Sequence, residues 1–328
     1  MVDIIKKNFH NHLSNLSNIS EIQKYIHKNW KKKHILSKNK NLLIWQHQFL
    51  NNKIDFLVKK KGKKIISLLG IINQSRNKKY SEISLAIWHS INKTAGLSLM
   101  TNTFFKNIKM IKATTISKNI LNLYRSLGFK VQNFNQYYLT NTTLKKQKIT
   151  KGLIAEKFNS QYVDKKLIFK GINKIFSLKY NFKNKNYIKW RFYKHPIYDY
   201  HFLTENKPKL ILICRIVSVK NVKFLSIVDY LGSFRGKNKF IKKIPEFLKI
   251  QNFHHLEFLH YGSEKINILK SGLKKANKNQ VLPLLTQPYT GLKKTDILCG
   301  YKTINKNQII KIVRADGDAD RPSLQQVF

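Results

Sequence analysis

Residues 81–129 constrain the fold more than any other stretch of this chain. Residues 81–89 are rich in apolar and aromatic groups in loose alternation, which predicts a strand. The small-residue turn Asn92-Lys93-Thr94-Ala95-Gly96-Leu97-Ser98 then opens a helix over residues 96–107, with Leu97, Met100, Phe104 and Phe105 on its buried side. Residues 110–114 read as a second strand and residues 117–127 as a second helix. That helix carries Asn119 in its first turn and Tyr124 further along. Gly128 suits a left-handed cap, after which Phe129 returns the chain to the sheet. A strand that feeds a helix N-terminus through small residues gathers backbone N–H donors at one point, and the helix dipole favours an anion there. Gly96 would let a phosphate approach the backbone, and Lys93 adds a cation at the mouth. Taken alone, one glycine is a weak signal, because an ordinary strand-to-helix turn has the same form.

The flanking sequence extends the pattern. Ser20-Glu21-Ile22-Gln23 has the form of a capping box, and apolar spacing through Ile26 and Trp30 predicts a helix over residues 20–33. Residues 55–59 and 64–73 read as strands joined by the Gly62 turn. Residues 137–140 read as another strand. The polar run 141–152 is the expected linker. Beyond it come strands at 202–203, 210–218, 224–231 and 255–260, helices at 241–250 and 263–270, then Gly272 and a strand at 281–285. Both halves run strand, Gly-containing turn, helix, strand, helix, then Gly followed by an apolar residue. That predicts a diverged internal duplication, with domains at 1–145 and 150–328.

The chain has 328 residues and an apolar fraction of 42%, enough for a core in each half. Its formal net charge is +47. The excess is mostly Lys, mixed with Asn and Ile throughout. An A- and T-rich coding bias would produce that mixture, whereas a nucleic-acid footprint would cluster on one element. Cys214 and Cys299 lie in apolar runs without ligand spacing and read as buried free thiols. Met1 to Asn11 has no apolar core, and Ile65 to Ile72 is too short to span a bilayer. The expectation is a cytoplasmic protein without membrane insertion.

The segments quoted above resemble the GNAT acetyltransferase superfamily. Lys93-Thr-Ala-Gly96-Leu-Ser98 is similar to that family's acyl-CoA loop, Q/R-x-x-G-x-G/A, with Lys and Ser at two of its positions. Asn119, Tyr124 and Leu127-Gly128-Phe129 are similar to its later signature. The resemblance covers roughly residues 20–140. It implies an α/β (α+β) fold of two GNAT-like units, each a mixed, mainly antiparallel sheet flanked by helices, with acetyl-CoA as acyl donor. It also implies site roles. Ala86, Ile87 and Trp88 would offer backbone groups to the pantetheine arm. Lys93, Thr94, Ala95, Gly96, Leu97 and Ser98 would hold the pyrophosphate. Asn119 would contact the cofactor arm, and Tyr124 would protonate the leaving thiolate. An attacking amine must be neutral, so a base is needed. Glu82 is the first candidate, His89 the second and Asp55 a weaker third.

In the second half, Asp229-Tyr-Leu-Gly232-Ser-Phe-Arg-Gly236 stands where a second phosphate loop would sit, but without its spacing. This suggests a degenerate unit. Trp190 and Arg191 open a run of interleaved aromatics and cations that suits stacking on a base or sugar, or else a core-edge hairpin with exposed charges. The acidic tail with Asp316, Asp318 and Asp320 lacks the rest of a calcium loop, so internal ion pairing is expected rather than metal. The tail and the Trp190 segment together resemble two-unit GNAT-like proteins of bacterial surface-polysaccharide pathways. That resemblance implies an amino-sugar acceptor, free or nucleotide-linked. Two other classes remain open: a basic nucleic-acid-binding protein, and a two-unit aminoacyl transferase using charged transfer RNA.

Overall fold

Helix α1, Ile19–Tyr25, buries Ile19, Ile22 and Tyr25 on one face, as their spacing dictates. The expected capping box does not form. The N-cap is Asn18, without a side-chain cap bond, and the Gln23 amide instead donates to the Leu36 carbonyl at 2.9 Å. The helix continues as a π-turn, Ile26–Trp30. Helix α2, Lys40–His47, was not anticipated; Asn39 caps it by accepting from the Leu42 N–H. The strands β1, Phe56–Lys61, and β2, Lys64–Asn73, form the expected hairpin, with Gly62 at φ 58° in its turn.

The computed structural model describes residues 13–76, 80–141, 183–204, 209–219, 222–235, 239–276, 297–305 and 307–322. The expected linker beyond residue 141 and the expected strand at 281–285 lie outside them. The chain divides into two units, Met1–Val131 with Gly300–Lys306, and Gln132–Cys299 with Asn307–Phe328. The expected boundary near 145–150 therefore moves upstream.

In the first unit, β2 is followed by β3, Glu82–Ser90, helix α3, Lys93–Met100, β4, Met110–Ile116, helix α4, Leu121–Ser126, and β5, Lys130–Asn133. A strand from late in the sequence, Leu298–Thr303, slots between β4 and β5, giving six strands among the described residues. β1–β2 and β2–β3 are antiparallel, while β3–β4 is parallel. Leu68, Leu69, Ile71, Ile83 and Ile87 are fully buried in this sheet.

Among the described residues the second sheet has seven strands. Its members are β6, Asn135–Thr140, β7, His201–Leu203, β8, Leu210–Val219, β9, Val222–Gly232, β10, His255–Gly262, β11, Lys274–Lys275, and a last strand, Lys311–Val313, paired to β10. Only β9–β10 is parallel among the pairings described. Helix α5, Lys185–Ile188, runs into a π-turn, Lys189–Tyr193, echoing α1. Helix α6, Lys239–Ile250, bridges β9 and β10, and α7, Lys265–Lys270, follows. Leu212, Leu225, Ile227, Leu248, Phe258 and Val313 belong to its core. Each sheet is thus mixed and mainly antiparallel where pairing directions are described, and helices flank it. Among the described residues no helix is long and apolar enough to cross a membrane.

Candidate active site

The site begins with two irregularities in β3. Across β2, pairing runs from Ser67 opposite Ser90 to Leu69 opposite Trp88, then resumes at Ile71 opposite Leu85. One β2 residue, Gly70, therefore faces two β3 residues, Ala86 and Ile87, which is a β-bulge. On its other edge β3 pairs with β4 only from Glu82 opposite Met110 to Leu85 opposite Ala113. Past that point the two strands part. Thr115 of β4 takes a left-handed φ of 57° there. Residues 86–90 thus present a row of backbone groups without a β4 ladder, the kind of edge an extended amide-bearing ligand can pair with.

Helix α3 starts three residues beyond β3. Asn92 caps it, its side chain accepting from the Ala95 N–H at 2.8 Å, and the Gly96 N–H donates to the Asn92 carbonyl at 2.9 Å. The amides at the mouth are therefore those of Lys93 and Thr94, both on exposed residues. A Cβ at Gly96 would meet the Ser90 Cβ at 2.9 Å, so the glycine permits close packing of helix on strand. The Ser90 hydroxyl donates to the Asn92 carbonyl across this contact. Leu97, expected in the core, is 42% exposed, because the buried face of the shorter helix is Gly96, Leu99 and Met100. Phe104 is buried beyond its end. Ser98 is half-buried and donates to the Ala95 carbonyl at 2.9 Å.

Trp88 joins the bulge to both helices. Its indole N–H donates to the Gly96 carbonyl at 3.3 Å, and its ring meets Tyr124 edge-on at 5.6 Å. Tyr124 is 4% exposed and packs edge-on against Phe129 at 5.0 Å. Behind it α4 ends in the expected left-handed glycine: the Gly128 N–H reaches the Arg125 carbonyl and the Phe129 N–H the Tyr124 carbonyl, with Gly128 at φ 83°. Asn119 sits in a 3₁₀ turn, Lys118–Ile120, ahead of α4 rather than in its first turn, and is exposed.

The three base candidates are placed differently. His89 points to the face opposite Trp88, with Nδ1 3.1 Å from the Tyr25 hydroxyl. Burial lowers its pKa below the usual histidine value, so the ring is neutral near pH 7. Burial pushes the Tyr25 phenol up to about 12. Glu82 lies at the other end of β3, six residues or about 20 Å from Trp88, and its carboxylate pairs with the buried Lys112 ammonium. Asp55 is fully buried, accepts from the Tyr80 hydroxyl at 2.6 Å, and is pushed up to about 8 by burial. The sequence reading did not single out Tyr25, Ser90 or the capping role of Asn92. Only Asn92 had a local signal, an Asn immediately before a helix start.

The second unit repeats the architecture and fills it. Between β8 and β9 the register slips after Ile213 opposite Asp229, resuming at Cys214 opposite Ile227, so Val228 is the extra residue. Pairing of β9 with β10 stops at Ile227 opposite Phe258, so these strands also part at the bulge. Here the chain itself occupies the region. The last strand pairs His260 with Val313, and Asp229 receives Lys183 at 2.5 Å and Lys311 at 2.8 Å. Burial opposes charge on Asp229, yet the two ammonium groups outweigh it and hold the carboxyl below its usual range. Asp316 pairs with Lys183, Asp318 with Arg321, and Asp320 with Arg215. Arg314 reaches Glu257 at 2.8 Å. The tail carboxylates are therefore engaged internally.

Trp190 and Arg191 do not form an open stacking platform. They lie in the π-turn, 8% and 4% exposed, and the Arg191 guanidinium donates to the Asp320 carbonyl at 3.4 Å. Cys214 and Cys299 are buried free thiols.

No protein-family model matches the sequence, and no curated protein does. Solved structures match by shape. A GCN5-related N-acetyltransferase from Anabaena variabilis aligns over 89% of this chain and 72% of its own, with a TM-score of 0.51 and 11% identity. A probable N-acyltransferase of unknown function from Enterococcus faecalis aligns over 89% and 71%, with a TM-score of 0.50 and 10% identity. The fold is the GNAT fold. At these identities the likeness concerns the path of the backbone. Within the GNAT fold of the first unit, the bulge, the parted strands and the α3 N-terminus occupy one continuous stretch of sequence, residues 82–98.

Proposed function

We propose that the first unit is an acyl-CoA-dependent N-acyltransferase, with acetyl-CoA as donor, and that the second unit is a non-catalytic partner of the same fold. One observation carries this reading: β3 and β4 part at the bulge immediately before a capped helix N-terminus. Pantetheine is a chain of two amides, and the backbone of Ala86, Ile87 and Trp88, which has no β4 ladder on that edge, supplies complementary groups. The diphosphate then falls at the N-terminus of α3, where the Lys93 and Thr94 amides and the Lys93 ammonium face an anion. Ala95, Gly96, Leu97 and Ser98 shape that turn rather than donate to the phosphate, with Gly96 setting how close α3 lies to β3. Asn119, exposed ahead of α4, is in reach of solvent to meet the cofactor arm.

The reaction is direct attack of a neutral amine on the thioester carbonyl. The C–N bond forms, the C–S bond breaks, and the thiolate leaves. Tyr124 is the assigned acid for that thiolate, held by Trp88 and Phe129 on either side. The amine proton passes to solvent water: Glu82 lies about 20 Å along β3 and is paired with Lys112, and His89 is on the face opposite Trp88, so neither is placed to take it directly. The acceptor assigned is an amine on a sugar or nucleotide-sugar precursor, which rests on the resemblance of the Trp190 segment and the acidic tail.

The test is a thermal-shift screen of acyl-CoAs, then release of free thiol with a panel of amino sugars. Acetyl-CoA stabilisation with turnover on an amino sugar supports the assignment. Absence of stabilisation by every acyl-CoA refutes it. Stabilisation with turnover only on charged transfer RNA moves the acceptor to another class.

A further inference from the structure

We infer that an open groove beside α1 binds a phosphate-bearing small molecule of nucleotide size. The groove has a volume of about 810 Å³, within the range of small-molecule sites. Lys24, Lys28, Lys32 and Lys38 line it together with His27 and Trp30, and among the described residues no carboxylate does. None of the four ammonium groups forms an ion pair among the described residues. Glu21, the acidic residue in α1, is engaged elsewhere by Lys60 at 2.6 Å. Four like charges around one concavity raise its potential and draw an anion into it.

The backbone explains the convergence. Lys24 and Lys28 are four residues apart and share one face. The π-turn over Ile26–Trp30 then inserts an extra residue, the kind of irregularity that accompanies ligand sites. Trp30 lies at its end, 36% exposed, and its ring packs on the buried His34 at 4.5 Å. That fixes the indole while leaving part of it to the groove. An anchored aromatic face for a base beside several cations for phosphate oxygens is the complement of a nucleoside diphosphate. Lysines occur all over this chain, but here they coincide with a cavity, an aromatic platform and an absence of lining carboxylates. The groove shares no lining residue with residues 82–98, so the inference does not rest on the acyl-transfer reading.

Titration with ADP and with inorganic pyrophosphate, followed by tryptophan fluorescence on the full chain, tests this. The expected result is a saturable change with ADP that disappears in Trp30→Phe. Lys24→Ala/Lys28→Ala weakens binding about tenfold or more, with Lys24→Gln/Lys28→Gln as a second pair. All four side chains are exposed, so an unchanged urea midpoint certifies the fold. Lys93→Ala is expected to leave the ADP response intact. A response that survives Trp30→Phe, or is insensitive to both lysine pairs, or is lost in Lys93→Ala, overturns the proposal. So does failure of ADP and pyrophosphate to bind while an RNA oligonucleotide binds with a steep salt dependence.

Discussion

Replacing Gly96 with Ala tests the packing that places the α3 N-terminus. In a free helix the change would stabilise by about 1 kcal/mol through propensity. Here the added Cβ meets the Ser90 Cβ at 2.9 Å and the Ser90 Oγ at 3.3 Å. Neither atom is the far end of a flexible chain, so α3 must shift off β3. Overpacking of this kind costs about 1–3 kcal/mol. The net expectation is a loss of roughly 0–2 kcal/mol, with the sign opposite to propensity. The decisive comparison is a double-mutant cycle with Ser90→Gly, which removes the clashing atoms. Trp30, Trp45 and Trp88 lie in the first unit and Trp190 in the second. Urea unfolding followed by tryptophan fluorescence therefore reports mainly on the first unit. Gly96→Ala should lower the midpoint at unchanged slope. In the Ser90→Gly background the same change should be stabilising, giving a coupling of at least about 1 kcal/mol. Strict additivity, or a stabilising Gly96→Ala in the wild-type background, would refute the close-packing account.

Tyr124→Phe keeps the ring contacts with Trp88 and Phe129 and removes only the hydroxyl. Turnover should fall on the order of a hundredfold while acetyl-CoA binding by calorimetry stays near wild type; unchanged turnover removes the phenol from the mechanism. Lys183→Met leaves Asp229 and Asp316 short of a buried partner, and should destabilise the second unit by about 3–5 kcal/mol, read as a lowered melting temperature in calorimetry. The raised pKa of Asp55 fixes the sign of a pH effect. The folded state favours its protonated form, so that stability is fully present below the unfolded value of about 3.9 and is lost as pH rises through about 8. Asp55→Asn should flatten the decline of first-unit stability between those limits, and an equally steep decline in the variant would show another group responsible.

Local chemistry was what the sequence disclosed best. The strand at 82–90, the turn into α3, β4 and the Gly128 cap depend on periodicity and turn residues within a few positions of one another. The halves' shared order of elements survived for the same reason. Long-range partners were invisible. The strand Leu298–Thr303 enters the first sheet between β4 and β5, a pairing across some hundred and seventy residues that no local pattern encodes. Trp190 and Arg191 show the limit plainly. Interleaved aromatics and cations look alike whether they face a ligand or a buried carboxyl group, and the Asp320 carbonyl that receives Arg191 is 129 positions away. The close packing of Gly96 on Ser90 could not be read from the sequence, because only the fold brings the two together. Helix α2 carried a readable signal in Asn39 followed by Leu42 and Leu43, which the surrounding Lys and Asn obscured.

The most direct measurement is amide hydrogen exchange across the whole chain with and without saturating acetyl-CoA. Slowed exchange at the β3 bulge and the first turn of α3, with none at the matching Val228 bulge where Lys183 and Lys311 already surround Asp229, is the predicted outcome. Uniform exchange with and without the thioester, or protection centred on the second unit, would contradict it.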